Sequence, residues 1–472
     1  MSRFRSLLLL PLLIGSAAAA DVPHYAVRFD ATTGQAAVRL CLAQAHDAVT
    51  FAADSAWAMR FVHDLRRDRD DELVADDGAW RAADWRAGEC LAYRADLAAI
   101  AAAQRADVGW RLGEDLVTAP QLWLLRPDVP QDADAHLQLA LPAGWAVSAP
   151  WHADAAADAS GQSIQFTIPN TPPDWAAAVA IGRFAEERIE LPGGALRLVV
   201  LHGVDAEQRA VLRDWLAHVA RAVLAAYGRL PLADVQVLMI PLPGRGRAVL
   251  FGQSIRGQGN ALELLVDPTR PAAEFADDWI AVHELSHLLH PYLGERGSWL
   301  AEGLATYYQN VLRGRAGLLR PTQAWDRLRE GFAANTGRHY ASTLAQAAAE
   351  MHRRHDYRRV YWSGAAYWLT VDRDLRRAST SLDRALARFR DCCLPARREW
   401  TPEEFVARLD ALLGVSVVSA RYREFAALRQ FPDWENVYRD LGIRADAAGL
   451  RFDDAAPDAA VREAILPTRS AP

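Results

Sequence analysis

The 472-residue sequence contains no lysine; all 53 of its strongly basic residues are arginine. Beside its abundant alanine, that absence reads as the bias of a GC-rich coding sequence and not as a functional trait. Acidic residues number 59, so the formal charge is −6, and no long basic run breaks the pattern. A mildly acidic chain without a basic stripe argues against a nucleic-acid partner. After the first twenty residues no apolar run is long enough for a stable membrane span. Internal repeats and low-complexity linkers are also missing. Cysteine is scarce, at four residues, and none lies in a CxxC pair or beside a histidine, so a thiolate metal site is not indicated. Cys392 and Cys393 are adjacent and are not read as ligands. Cys41 and Cys90 both fall in strand-like stretches. A bridge between them suits an oxidising compartment, and two separate buried thiols are the competing reading.

What remains is a globular composition, 51% hydrophobic and 24% charged. The length exceeds one ordinary domain. "MSRFRSLLLLPLLIGSAAAADVPHY" reads as a signal peptide over residues 1–20. Arg3 and Arg5 form its positive start, Leu7 to Ile14 its short apolar core, and Ala18 to Ala20 its cleavage site before Asp21. The expected mature chain is periplasmic or secreted, and no cysteine follows the cut to carry a lipid anchor. Residues 21–186 look β-rich: "HYAVRFDA", "QAAVRLCLA", "HLQLALPA" and "SIQFTIPN" have strand length and pattern, with turn residues between them. Several such strands predict a sandwich. From 187 the character changes. "GALRLVVLHG", "DVQVLMIPL", "AVLFGQSI" and "ALELLVDP" read as strands, and "AEQRAVLRDWLAHVARAVLAAYG" as an amphipathic helix. From 280 to about 440 nearly everything reads helical. The predicted class is multidomain α+β, divided at 21–186, 187–395 and 396–472, the last a helical region with a loose tail.

The chemistry concentrates in "WIAVHELSHLLHPYLGERGSWLAEGLATYYQ". His283 and His287 are four apart, one helical turn, so two imidazoles can face one metal. Glu284 lies beside the first histidine, placed to act on a water and not to ligate. Two histidines and a carboxylate on zinc leave a fourth position open. The metal makes water acidic, Glu284 accepts its proton, and a carbonyl is attacked. An ordinary helix with two satisfied histidines is the competing reading. The apolar neighbours Ile280, Val282, Leu285 and Leu288 count against it, because buried polar groups need partners. Pro291, Gly294 and Gly297 predict a turn, after which "SWLAEGLATYYQNVL" reads as a second helix with Ser298 as its cap. Glu302 in its first turns is the favoured third ligand, since a lone carboxylate on an apolar segment calls for a cation. His290 and Glu295 are its rivals.

"HELSH" followed by "WLAEGLATYY" resembles the gluzincin peptidases, in which the second motif supplies the third zinc ligand. "AAYGRLPLADVQVLMIPL" and "HLQLALPAGWAVSAPW" are similar to segments of the glycyl aminopeptidase family. "RRVYWSGAAYWLTVDRDLR" resembles that family's helix bearing an active-site tyrosine three residues before a glycine. The resemblance implies a β-sandwich, a thermolysin-like catalytic domain and a helical domain, without the C-terminal PDZ domain frequent in the family. It further implies one Zn2+ ion on His283, His287 and Glu302, Glu284 as base, and Tyr361 as hydrogen-bond donor to the oxyanion. A core aromatic is the competing reading of Tyr361. Upstream, "IRGQGNALELL" stands where the family places a glycine-rich strand entry with an amine-binding glutamate. Gly257, Gly259 and Asn260 are the substrate-binding candidates there. A neutral amide cannot ion-pair an ammonium group, so peptide hydrolysis is expected, with aminopeptidase or endopeptidase specificity left open. The strand at 260–266 is expected to pair with an extended peptide. A charge-dense loop over residues 66–77 and the histidines His352 and His355 read as solvated surface. From another class, the alternative is a non-catalytic zinc- or peptide-binding scaffold on a peptidase-derived fold. Retention of all four site positions favours the enzyme.

Overall fold

A computed structural model of the chain describes residues 21–52, 58–69, 71–76, 78–129, 133–155, 163–446 and 449–468. The leader expected at residues 1–20 lies outside the described residues. The four strands expected early in the chain form His24–Asp30, Gln35–Cys41, Ala135–Ala140 and Ser163–Ile168. They join three more in a seven-stranded sheet. The strand His24–Asp30 buries Tyr25, Val27 and Phe29 and exposes the residues between them, as one face of a sheet on a core requires. A four-stranded sheet containing His46–Ala52 and Ala79–Trp85 closes the other side. Val49, Phe51, Trp80 and Trp85 share one buried cluster with Tyr25, Val38 and Leu139. This is a sandwich. Cys41 and Cys90 are directly opposed on adjacent strands and are bonded, as are Cys392 and Cys393.

The following five-stranded sheet runs in the order Glu187–Leu191, Gly194–Val200, Asp234–Pro241, Ala261–Val266, Val249–Ile255. Gly194–Val200, Asp234–Pro241 and Ala261–Val266 are parallel. Helix Ala206–Leu224, closed at its start by a reciprocal Asp205–Gln208 cap, makes the first crossover. Val249–Ile255 is antiparallel to its neighbour and forms the edge. The sequence reading missed only Glu187–Leu191. It also assigned peptide pairing to residues 260–266, whereas Ala261–Val266 is internal, bonded on both sides. On that side of the sheet the edge strand is Val249–Ile255.

Helices cover one face of this sheet. One buried cluster draws on residues from Ile189 to Leu466, on both sides of 395. The later helices Pro402–Leu413 and Val417–Ala426 pack on the central ones: Trp299 stacks on Tyr422 with ring centroids 5.6 Å apart, and the Tyr367 hydroxyl donates to the Val418 carbonyl oxygen at 3.0 Å. The C-terminal region expected to be helical also carries a hairpin, Ile443–Asp446 with Gly449–Phe452.

The sandwich side meets the five-stranded sheet through a third small sheet. Trp110, Val117 and Ala180 pack on Val199, Leu238 and Leu265. At this seam Trp110 donates its indole N–H to Glu263 Oε1 at 2.8 Å, and Gln253 donates to Oε2 at 2.7 Å. Burial pushes the Glu263 carboxyl up to about 7, against those two bonds. The folded state therefore holds this proton more tightly than the unfolded chain, whose ordinary value is 4.5. Its contribution to stability falls as pH rises from 4.5 to about 7. In urea titrations across this range, Glu263→Gln is expected to lose less stability with rising pH than the wild type. Parallel profiles would show that the carboxyl does not titrate there.

Candidate metal centre

The histidine motif forms a short helix, Ile280–Ser286, continued by a tighter turn over His287–Leu289. The chain then reverses through Gly294, whose φ of +61° suits glycine, and re-enters a helix over Ser298–Arg315. Ser298 is the first residue of that helix and not its cap: its hydroxyl donates to the Ala348 carbonyl oxygen at 3.3 Å. The reversal brings Glu302 opposite the two histidines. Glu302 Oε2 lies 3.1 Å from His283 Nε2 and 3.5 Å from His287 Nε2. One donor atom from each of the three residues falls within 4.8 Å of the others.

The groups behind the imidazoles decide which nitrogens are free. His290 Nδ1 is 2.7 Å from the Pro291 carbonyl oxygen, which can only accept, so His290 carries its proton there. Its Nε2 then accepts from His287 Nδ1 at 3.1 Å. Burial holds His290 well below its ordinary value, with Arg256 adding to the effect, so it stays neutral and able to accept. His283 Nδ1 meets Gln309 Oε1 at 2.8 Å. Both rings are thereby set with Nε2 lone pairs turned toward Glu302, the arrangement second partners impose on metal-binding histidines. His290, a rival ligand on sequence grounds, stands behind His287 instead. Glu295, the other rival, is exposed on the turn. Burial works against the Glu302 charge, and protonated imidazoles donating to it would hold its carboxyl well below the usual carboxylate range, so the niche favours a positive charge opposite Glu302, from a proton or a metal ion. Two neutral nitrogens and a carboxylate converging in a buried niche suit zinc.

Glu284 is buried beside His283, and its burial pushes the carboxyl up from its ordinary value. The edge strand Val249–Ile255 presses against it. A Cβ on Gly252 would come within 2.6 Å of Ile280 Cγ2 and 2.8 Å of Glu284 Cγ, and Ser254 donates to the Glu284 carbonyl oxygen at 2.6 Å. Tyr361 comes from helix Tyr357–Arg377. Its ring stacks near that of His283, with centroids 5.9 Å apart and planes 13° apart, and its hydroxyl faces Glu302. Glu284, His287, Glu302 and Tyr361 line one cleft, with Arg256 and the edge strand forming its opposite wall. Gly257, Gly259 and Asn260 are not part of it. A Cβ at Gly257 would strike the Trp175 and Ala176 carbonyl oxygens, and one at Gly259 the Pro150 carbonyl oxygen. The Asn260 carbonyl oxygen accepts from Gln236 N. These residues seat the sandwich side on the sheet. Among residues the sequence reading passed over, Gln309 had a usable signal: it lies seven beyond Glu302, two turns along the same helix. Arg256 had none.

No protein-family profile matches the sequence, and no curated protein matches it by sequence. Solved structures do match in shape. An aminopeptidase N family protein from Idiomarina loihiensis superposes with a TM-score of 0.68 at 13% identity, over 89% of this chain and 78% of that one. An M1 zinc metallopeptidase from Deinococcus radiodurans gives a TM-score of 0.55 at 14% identity, over 88% and 94% of the two chains. A mutant of the Deinococcus protein bound to a Tyr-Ser-Ala substrate gives 0.55 at 15%, over 88% and 96%. The chain therefore has a multidomain α+β fold similar to that of these structures.

Two outcomes test how the site is held. Gln309→Leu removes the acceptor behind His283, and chelator competition should show zinc held about 10–100-fold more weakly; unchanged retention would mean that the ring needs no such support. Gly364 in the tyrosine helix and Gly303 beside Glu302 meet backbone to backbone, where a Cβ on Gly364 would lie 1.9 Å from the Trp299 carbonyl oxygen. Gly364→Ala should cost about 1–3 kcal/mol in thermal denaturation, and an unshifted melting curve would show that the helices part without strain.

Proposed function

We propose that the protein is an exported zinc-dependent metallopeptidase. The observation that carries this reading is the convergence of His283, His287 and Glu302, with Glu284 adjoining, on an open cleft. Held by these residues, zinc would supply a Lewis acid able to polarise a peptide carbonyl and make a neighbouring water acidic. Glu284, with its proton affinity raised by burial, accepts the water's proton and can pass it to the departing amine. Tyr361 donates its hydroxyl proton in a hydrogen bond to the charge developing on the carbonyl oxygen. The edge strand Val249–Ile255 leaves one side of its backbone unpaired in the sheet, so an extended peptide can lie along it beside Glu284. Structural neighbours of M1 type, one of them bound to a Tyr-Ser-Ala substrate, support a peptide as substrate. The leader at residues 1–20 and the Cys41–Cys90 bond support export.

Glu284→Gln is the direct test. On a peptide library, kcat should fall by about 10²–10⁴-fold while zinc content measured by atomic absorption stays at that of the wild type. Cleavage equal to the wild type would remove Glu284 from the chemistry. A wild-type protein that neither holds zinc nor cuts any peptide would overturn the reading as a whole.

A further inference from the structure

The edge strand leads directly into Arg256, which lines the cleft together with Glu284, His287 and Glu302. Its Nη2 donates to the His287 carbonyl oxygen at 2.6 Å. Among the described residues no carboxylate forms an ion pair with it. That sets it apart in a chain whose arginines are widely paired: Arg67 meets Glu89 at 2.9 Å, and Arg376 meets both Asp372 at 3.0 Å and Asp383 at 2.9 Å. A guanidinium keeps its charge at neutral pH. Its remaining N–H groups are neither hydrogen-bonded nor sealed inside the protein. Glu284 and Glu302 act on it through space, but both are engaged, Glu302 with the histidines and Glu284 as base. The other carboxylate along the cleft, Glu295, sits on the exposed turn. On the strand itself Gln253 has its amide bonded to Glu263. The cleft wall at the end of the edge strand thus presents a cation, anchored by a backbone carbonyl and open toward the cleft.

We propose that Arg256 sets the specificity of this cleft: its guanidinium receives a carboxylate of the peptide, either the C-terminal group or an Asp or Glu side chain, and its charge disfavours a free α-amine there. The planar fork matches a carboxylate with two parallel hydrogen bonds. The inference rests on the peptidase reading above, deepening it from peptide hydrolysis to a class of peptide.

The test compares peptides of one sequence on the purified, zinc-loaded protein. One is blocked at both ends and neutral, with Gln at the scanned position. A second carries Glu there. A third has a free C terminus and a fourth a free N terminus. The Glu peptide, the free-C-terminus peptide or both should exceed the neutral one by about 10–100-fold in kcat/KM, chiefly through KM; which arm responds names the source of the carboxylate. In Arg256→Gln this ratio should fall to near one. Arg256→Lys keeps the charge without the fork and should lower it several-fold, which serves if the Gln variant does not fold. Calorimetric binding of the same peptides to Glu284→Gln protein should show the same ranking without turnover. A wild-type ratio near one overturns the proposal, as does a ratio unchanged in both Arg256 variants. So does a preference for the free N terminus that disappears in Glu295→Gln. Carboxylate-selective binding without any cleavage would sink the peptidase reading and leave Arg256 standing; cleavage without selectivity would do the reverse.

Discussion

The backbone contact between Gly303 and Gly364 is the constraint on which the site depends. A Cβ on Gly303 would come within 2.3 Å of Gly364 C, so no side chain fits between the two helices there. Glu302 precedes the first glycine and Tyr361 lies three residues before the second, one turn away. The crossing therefore places the carboxylate and the hydroxyl over the same spot. Around it, Trp299, Tyr367 and Trp368 are fully buried and lock the crossing in place, with the Trp368 indole donating to the Leu300 carbonyl oxygen at 2.8 Å. A site whose parts come from separate helices keeps its geometry only if the helices cannot slide.

Electrostatics sets the other half of the arrangement. Burying two imidazoles and two carboxylates in a largely apolar cluster is costly unless each finds a partner. The chain meets that demand from behind, with Gln309, His290 and the Pro291 carbonyl, so that the front of the niche keeps its lone pairs. A bound cation would complete what the protein leaves unsatisfied. The edge strand adds a third element: Gly252 lets it approach Glu284 closely, and Ser254 ties it to the helix. The strand edge, Glu284 and the two histidines are thereby brought together.

The glycines of the segment 255–265 show that close backbone approach can arise away from the cleft. Gly257 and Gly259 are required because carbonyls of the sandwich side press on them. Gln258, between them, has a φ of +57° and accepts from the Trp151 indole at 2.8 Å. These contacts join the two halves of the molecule and do not touch the cleft. Close backbone approach calls for glycine whether the approaching group is a substrate or another part of the chain, and a string of letters does not say which.

By itself the sequence determined the features that local periodicity encodes. Alternating burial marked the strands His24–Asp30 and Gln35–Cys41, and the four-residue interval put His283 and His287 on one helical face. The apolar company of Glu302 marked it as a carboxylate in need of a partner. Tertiary structure alone decided everything that depends on distance between separated segments. It set His290 behind His287, and it put Val249–Ile255 at the edge and Ala261–Val266 inside. It also left Arg256 facing the cleft with no ion pair among the described residues. Sheet order and the pairing of charges are set by packing many residues apart, and no interval along the chain encodes them.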